Sequence, residues 1–182
     1  MAIKGVFESS NMLSTKGAKR IFDAISTTEE LENGLIGYID ELADGEDYTY
    51  VFHKGLSAGK TTVVIDQPAW TADTTYKSNQ RKDKFVIPAG TKFRVRELAL
   101  NDEFLVNTAC VTAASVANFV KDAYVTVDAT TGKLVASATT TADVAFEGTV
   151  MRKRVQGATL VTAANTYGYS RDMYEIKVTT LA

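Results

Sequence analysis

The chain has 182 residues, with 20 Lys and Arg against 22 Asp and Glu, and 45% of its residues are hydrophobic. That length suits one domain, or one domain with an arm, and it can bury a core without disulfides or metals. The near-neutral balance argues against a nucleic-acid protein, the single cysteine, Cys110, excludes an intrachain disulfide, and no apolar run reaches the roughly 18 residues of a membrane span.

The first five residues, Met1 to Gly5, hold no apolar stretch, so no secretory signal is expected, and the lone cysteine fits a reducing compartment. Residues 1–34 read differently from the rest. Within Lys16 to Ile25, the positions Ala18, Ile21, Phe22 and Ile25 have helical spacing, with Lys16, Lys19 and Arg20 on the other side. The expectation is an N-terminal arm or short helix over 1–34 and a β domain over 35–182. An arm would reach a neighbouring subunit; a helix would pack on its own domain.

The β pattern begins at Leu35. Strands are expected over Leu35–Leu42, Tyr48–His53 and Thr61–Asp66, joined by the turn Asp44–Asp47 and the glycine-rich Gly55–Gly59. Thr71 to Asp83 is expected to be a polar loop after Trp70. Lys84 to Val106 reads as a central antiparallel meander: Phe85 and Ile87, a turn at Pro88–Gly90, Thr91 to Leu98 with Phe93 and Val95 opposite Arg94 and Arg96, and Phe104 to Val106 after Asn101-Asp102. Cys110 to Val120 is apolar but small, and its period does not choose between a strand pair and a helix. Ala123–Asp128 and Lys133–Ala138 form a hairpin around Thr130-Thr131-Gly132. Val144–Met151 is a strand that Arg152-Lys153-Arg154 extends with charge. Thr159–Ala164 is a weak strand, Asn165–Arg171 a loop, and Met173–Leu181 closes the chain. Short strands at regular spacing give a mainly β fold, an antiparallel sandwich or barrel.

Few residues carry the patterns of chemistry. Gly55-Leu56-Ser57-Ala58-Gly59-Lys60-Thr61 has three residues between its glycines, whereas a phosphate-binding loop needs four and a helix after them. A glycine-rich hairpin is the better account. His53 is the only histidine, too few for a triad or, with Cys110, for a zinc site. Asp40, Glu41, Asp44, Glu46 and Asp47 lack calcium-loop spacing and read as a solvated turn. The residues therefore point to a protein that is not an enzyme and needs no cofactor or metal. Arg152 and Arg154 share a strand face and suit an edge or an intersubunit contact. With Lys16, Ile21, Phe22 and Ile25 of the N-terminal segment and the loop aromatics Trp70, Tyr76, Tyr167 and Tyr169, they are the candidate interface.

The segment order resembles small virion proteins encoded near the coat gene in tailed bacteriophages. The resemblance runs over roughly residues 33–150 and is carried by Asn33-Gly34-Leu35-Ile36-Gly37-Tyr38-Ile39, Asp66-Gln67-Pro68-Ala69-Trp70, the Phe85–Gly90 turn, the Arg94–Leu98 strand, Leu100-Asn101-Asp102-Glu103-Phe104, Lys121–Val125 and Gly132-Lys133-Leu134. The family's glycine-aspartate turn stands here as Asn101-Asp102. The resemblance implies a non-catalytic head decoration or cement protein in the virion capsid, partnered by the major capsid protein and by copies of itself. No small-molecule substrate and no membrane are expected as partners, and the balanced charge argues against nucleic acid. A tail, neck or head-fibre component is the alternative within that class. A β-rich module that binds carbohydrate or a host surface through Trp70 and the loop aromatics is the alternative outside it.

Overall fold

The computed structural model describes residues 3–69, 81–140, 144–161 and 166–181. The strands are β1 (Phe7–Asn11), β2 (Ile21–Ile25), β3 (Ile36–Leu42), β4 (Thr49–Lys54), β5 (Thr61–Ile65), β6 (Lys92–Glu97), β7 (Glu103–Asn107), β8 (Tyr124–Val127), β9 (Leu134–Ser137), β10 (Phe146–Val161) and β11 (Thr166–Leu181). Five close into a barrel in the order β2-β4-β3-β5-β6, and six form a sheet in the order β1-β7-β11-β10-β8-β9. The fold is mainly β, as the short, regularly spaced strands predict.

Alternation decides which face each strand buries. In β6, Phe93 and Val95 point into the barrel, while Arg94 and Arg96 point outward and both engage Asp66. Strand β5 has no polar face in its second half. Val63 and Ile65 fill the barrel, and Val64 enters the core beneath the sheet. All three are fully buried, at roughly 1.5–3 kcal/mol for each large side chain. Ile36 at the start of β3 also enters the sheet's core, and Ile39 that of the barrel. The β3–β5 wall is thus shared by both halves. Gly37 lets β3 and β4 approach there: a Cβ at this position would stand 2.1 Å from the His53 carbonyl oxygen and 2.5 Å from the Phe52 ring.

Three expectations are corrected. Lys16 to Ile25 is not helical. Ile21–Ile25 is a barrel strand, antiparallel to β6 and parallel to β4, and Ala24 is fully buried. Together with β1, which pairs β7, it ties the N-terminal segment into both halves instead of leaving it as an arm. Two sheet partners outweigh the weak helical spacing of four residues. The Lys84–Val106 meander does not form either. Ile87 makes only a single bridge, to Leu31; β6 belongs to the barrel and β7 to the sheet. Finally, the backbone of Thr166–Arg171, expected as a loop, continues β11. The ambiguous stretch after β7 resolves as two short 3-10 helices, Thr108–Cys110 and Ala113–Asn118.

The crossover between the halves is Leu98–Asp102. Leu98 N–H bonds the Thr62 carbonyl on the barrel side, and Asn101 N–H and Asp102 carbonyl bond Val178 on the sheet side. Asn101 takes a φ of 68°, a left-handed turn that asparagine tolerates. The Asp102 carboxylate is buried and accepts the Leu13 N–H at 2.8 Å and the Ala99 N–H at 2.9 Å. Burial pushes this carboxyl up from its usual value, against the pull of those two N–H groups and Lys19.

Asp102→Ala strands two backbone donors and should lower stability by about 2–3 kcal/mol. Because the folded pKa is raised, the group's titration contributes stability that is fully present below its unfolded value near 3.8 and lost as pH rises through the folded value. Denaturant titrations should therefore show a wider gap between wild type and variant in acid than at neutral pH.

Candidate interface on the long ribbon

The two longest strands set the geometry. β10 and β11 have 16 residues each and pair from Phe146↔Leu181 to Val161↔Thr166. At about 3.4 Å per residue, the ribbon is about 50 Å long. β7 supports β11 only as far as Met173, and β8 supports β10 only at Gly148 and Thr149. Seven residue pairs, Val155↔Asp172 to Val161↔Thr166, extend past the last β7 partner, a reach of about 20 Å. A two-stranded ribbon is marginal in water by itself.

Its base is anchored by charge. Glu8 on β1 accepts Lys82 at 3.0 Å, Gln156 at 2.9 Å and Arg171 at 3.1 Å, and Arg171 also bonds Gln156 at 2.8 Å. Burial alone would raise the Glu8 carboxyl, but the bonds from Lys82 and Gln156 and the charges of Lys82 and Arg171 hold it below its usual value. The 3-10 turn Lys82–Lys84 lies beside this network: Lys4 N–H bonds the Asp83 carbonyl, and the buried Asp83 carboxylate takes Arg81 at two contacts. Burial opposes ionisation of Asp83, yet Arg81 keeps its pKa lowered.

One turn of the ribbon closer to the body, Arg152 and Arg154 both engage the buried Glu175, which also accepts Ser10. Lys153 faces the other way, 2.7 Å from Asp172 and over the Tyr174 ring. Met151 through Val155 are all exposed, with Val155 at 65% and Met151 at 41%.

The other expected interface residues are dispersed. Lys16 is exposed and bonds the Asn11 side chain at 2.6 Å. Ile21 is exposed on β2; Phe22 is edge-on to Tyr50 at 5.4 Å in the barrel wall; Ile25 lines a shallow depression with Leu42 and Val51. Trp70 and Tyr76 lie outside the described residues, as do the side chains of Tyr167 and Tyr169. The sequence reading missed Glu8, Arg171 and Glu175, whose partners are remote in the chain, and Val155, masked by its charged neighbours. It also passed over Leu42 and Tyr48, which are 46% and 82% exposed around the β3–β4 turn. An apolar residue on each side of an acidic turn was the available signal.

Groups with catalytic potential are placed elsewhere. His53 is exposed and stacked on Tyr38 with ring centroids 5.0 Å apart. Cys110 is fully buried and donates towards the carbonyls of Asn33 and Val6 and the Asn107 side chain; burial pushes its thiol up to about 12. In the Gly55–Thr61 segment, Lys60 is paired with Asp40, and Thr61 opens a strand instead of a helix. Among the described residues no three His, Cys, Asp or Glu side chains gather as a metal site, and no helix is long and apolar enough to cross a membrane. No protein-family model, curated protein or solved structure matches this chain.

Glu8→Ala should loosen the ribbon at its root. Amide exchange at Gln156, Gly157 and Ser170 to Asp172 should accelerate about tenfold, the loss of one charged hydrogen bond, while β7 stays protected.

Proposed function

We propose that this chain is a non-catalytic structural protein of a bacteriophage virion, a decoration or cement protein of the head that binds the major capsid protein and other copies of itself. The observation that carries the reading is the β10–β11 ribbon, which runs seven residue pairs past its last support from β7. Ordering that backbone costs roughly 1–2 kcal/mol per residue, and among the described strands only β10 and β11 themselves pair there. A lattice neighbour recovers it by covering the ribbon, and many weak copies reinforce a shell through multivalency. The order of segments from Asn33 to Leu134, which resembles that of small virion proteins, supports the same class. The arm expected at the N-terminus is replaced in this reading by the ribbon.

Purified particles of the encoding phage test the proposal. Mass spectrometry should find the protein in many copies, and electron microscopy with an antibody should label the head shell. Labelling of the neck or tail would select the alternative within the class. Absence from particles would overturn the reading.

A further inference from the structure

Charge is segregated along this chain although it nearly cancels overall. From Ile21 to His53 there are nine acidic residues and no Lys or Arg. Five of them, Asp40, Glu41, Asp44, Glu46 and Asp47, surround the β3–β4 turn. Strand β3 leaves the core shared with the sheet at Ile36 and carries this turn to the opposite end of the barrel. Asp40 pairs with Lys60 and Glu46 with Lys92, which leaves Glu41, Asp44 and Asp47 exposed and uncompensated by ion pairs among the described residues. Leu42 and Tyr48 stand exposed beside them.

The ribbon edge is the complement. Arg152, Lys153 and Arg154 face two carboxylates, Glu175 and Asp172, so a positive excess remains. Met151 and Val155 flank these cations with exposed apolar surface. Beyond Thr149 no described strand covers this edge. Charged side chains there discourage strand addition and favour a side-chain contact. No hydrogen bond or ion pair joins the turn to the ribbon edge within one chain among the described residues: the turn's side chains bond Lys60, Lys92 and Thr49, and the edge's bond Glu175 and Asp172.

We propose that the ribbon edge Met151–Val155 docks the acidic β3–β4 turn of a second copy of this chain, head to tail. Tyr48 and Leu42 would cover Met151 and Val155, while Asp44 and Asp47 meet Lys153 and Arg154. Two different patches in contact make a heterologous interface, which propagates into rings or extended arrays instead of stopping at a symmetric pair. The contact stands whether or not the chain is a virion protein, because self-association and presence in particles are separate measurements.

Sedimentation of the full chain at about 0.1 mM and low salt tests it. The wild type should associate, and raising salt to about 0.5 M should weaken association because exposed charges are screened. The ribbon variant K153E/R154E leaves Arg152 on Glu175; the turn variant D44K/D47K alters two side chains outside the hydrogen-bond network. Each should weaken self-association at least about tenfold through like-charge contact, with circular dichroism confirming the fold. Mixing the two should restore association, since every ribbon then meets a turn of opposite charge. A wild type that stays monomeric, variants that associate like wild type, or a mixture no stronger than its parts would each overturn the proposal. If the ribbon variant does not fold, the turn variant and the salt dependence still decide it.

Discussion

A strand apolar on both faces must be covered twice. Val63, Val64 and Ile65 of β5 impose that condition, because burying only one face would leave either Val64 or its two neighbours in water. The barrel covers one face and the six-stranded sheet the other. β6 can then close the barrel against β2, and the chain must cross to the sheet directly afterwards. The crossover is short, so its polar groups are met locally: Asp102 takes the N–H groups of Leu13 and Ala99, and Val178 takes Asn101.

The same economy of side-chain amides holds the rest of the seam. Asn107 accepts the Val6 N–H and donates to the Lys4 carbonyl, so it extends the β1–β7 pairing past its last backbone bond. Asn33 does the same with both backbone groups of Gln67. Between them, the Cys110 thiol fills space that Gly34 leaves open; a Cβ on Gly34 would stand 2.6 Å from the sulfur, and its φ of 81° already favours glycine. These contacts make Cys110 a packing residue.

Strands with a clean period of two were legible: β6, β8 and the inner half of β11 lie where alternation puts them, while β3, β4, β5 and β9 were legible as short apolar or β-branched runs between turns. Partner choice was not. Pro88 to Asp102 looks local in sequence, yet β6 pairs β2 and β5 in the barrel while β7 pairs β1 and β11 in the sheet. β2 was hidden by coincidence, since Ile21, Phe22 and Ile25 fit a helical stripe as well as a half-exposed strand. Arg152 and Arg154 were legible as a charged edge. Their shared carboxylate, Glu175, and the Glu8–Arg171 tie were not, since 23 and 163 residues separate those partners. The ribbon's reach was hidden for a related reason: Asn165 to Arg171 carries turn-forming residues, and only pairing with β10 makes part of it strand.

If β5 welds the halves as described, barrel and sheet open together. Native-state hydrogen exchange across a denaturant series measures this directly. The amides of Val63 to Ile65 and Val95 in the barrel should converge with those of Val106 and Ile176 in the sheet on one global opening free energy. Convergence on two separate values, one for each half, would contradict the account.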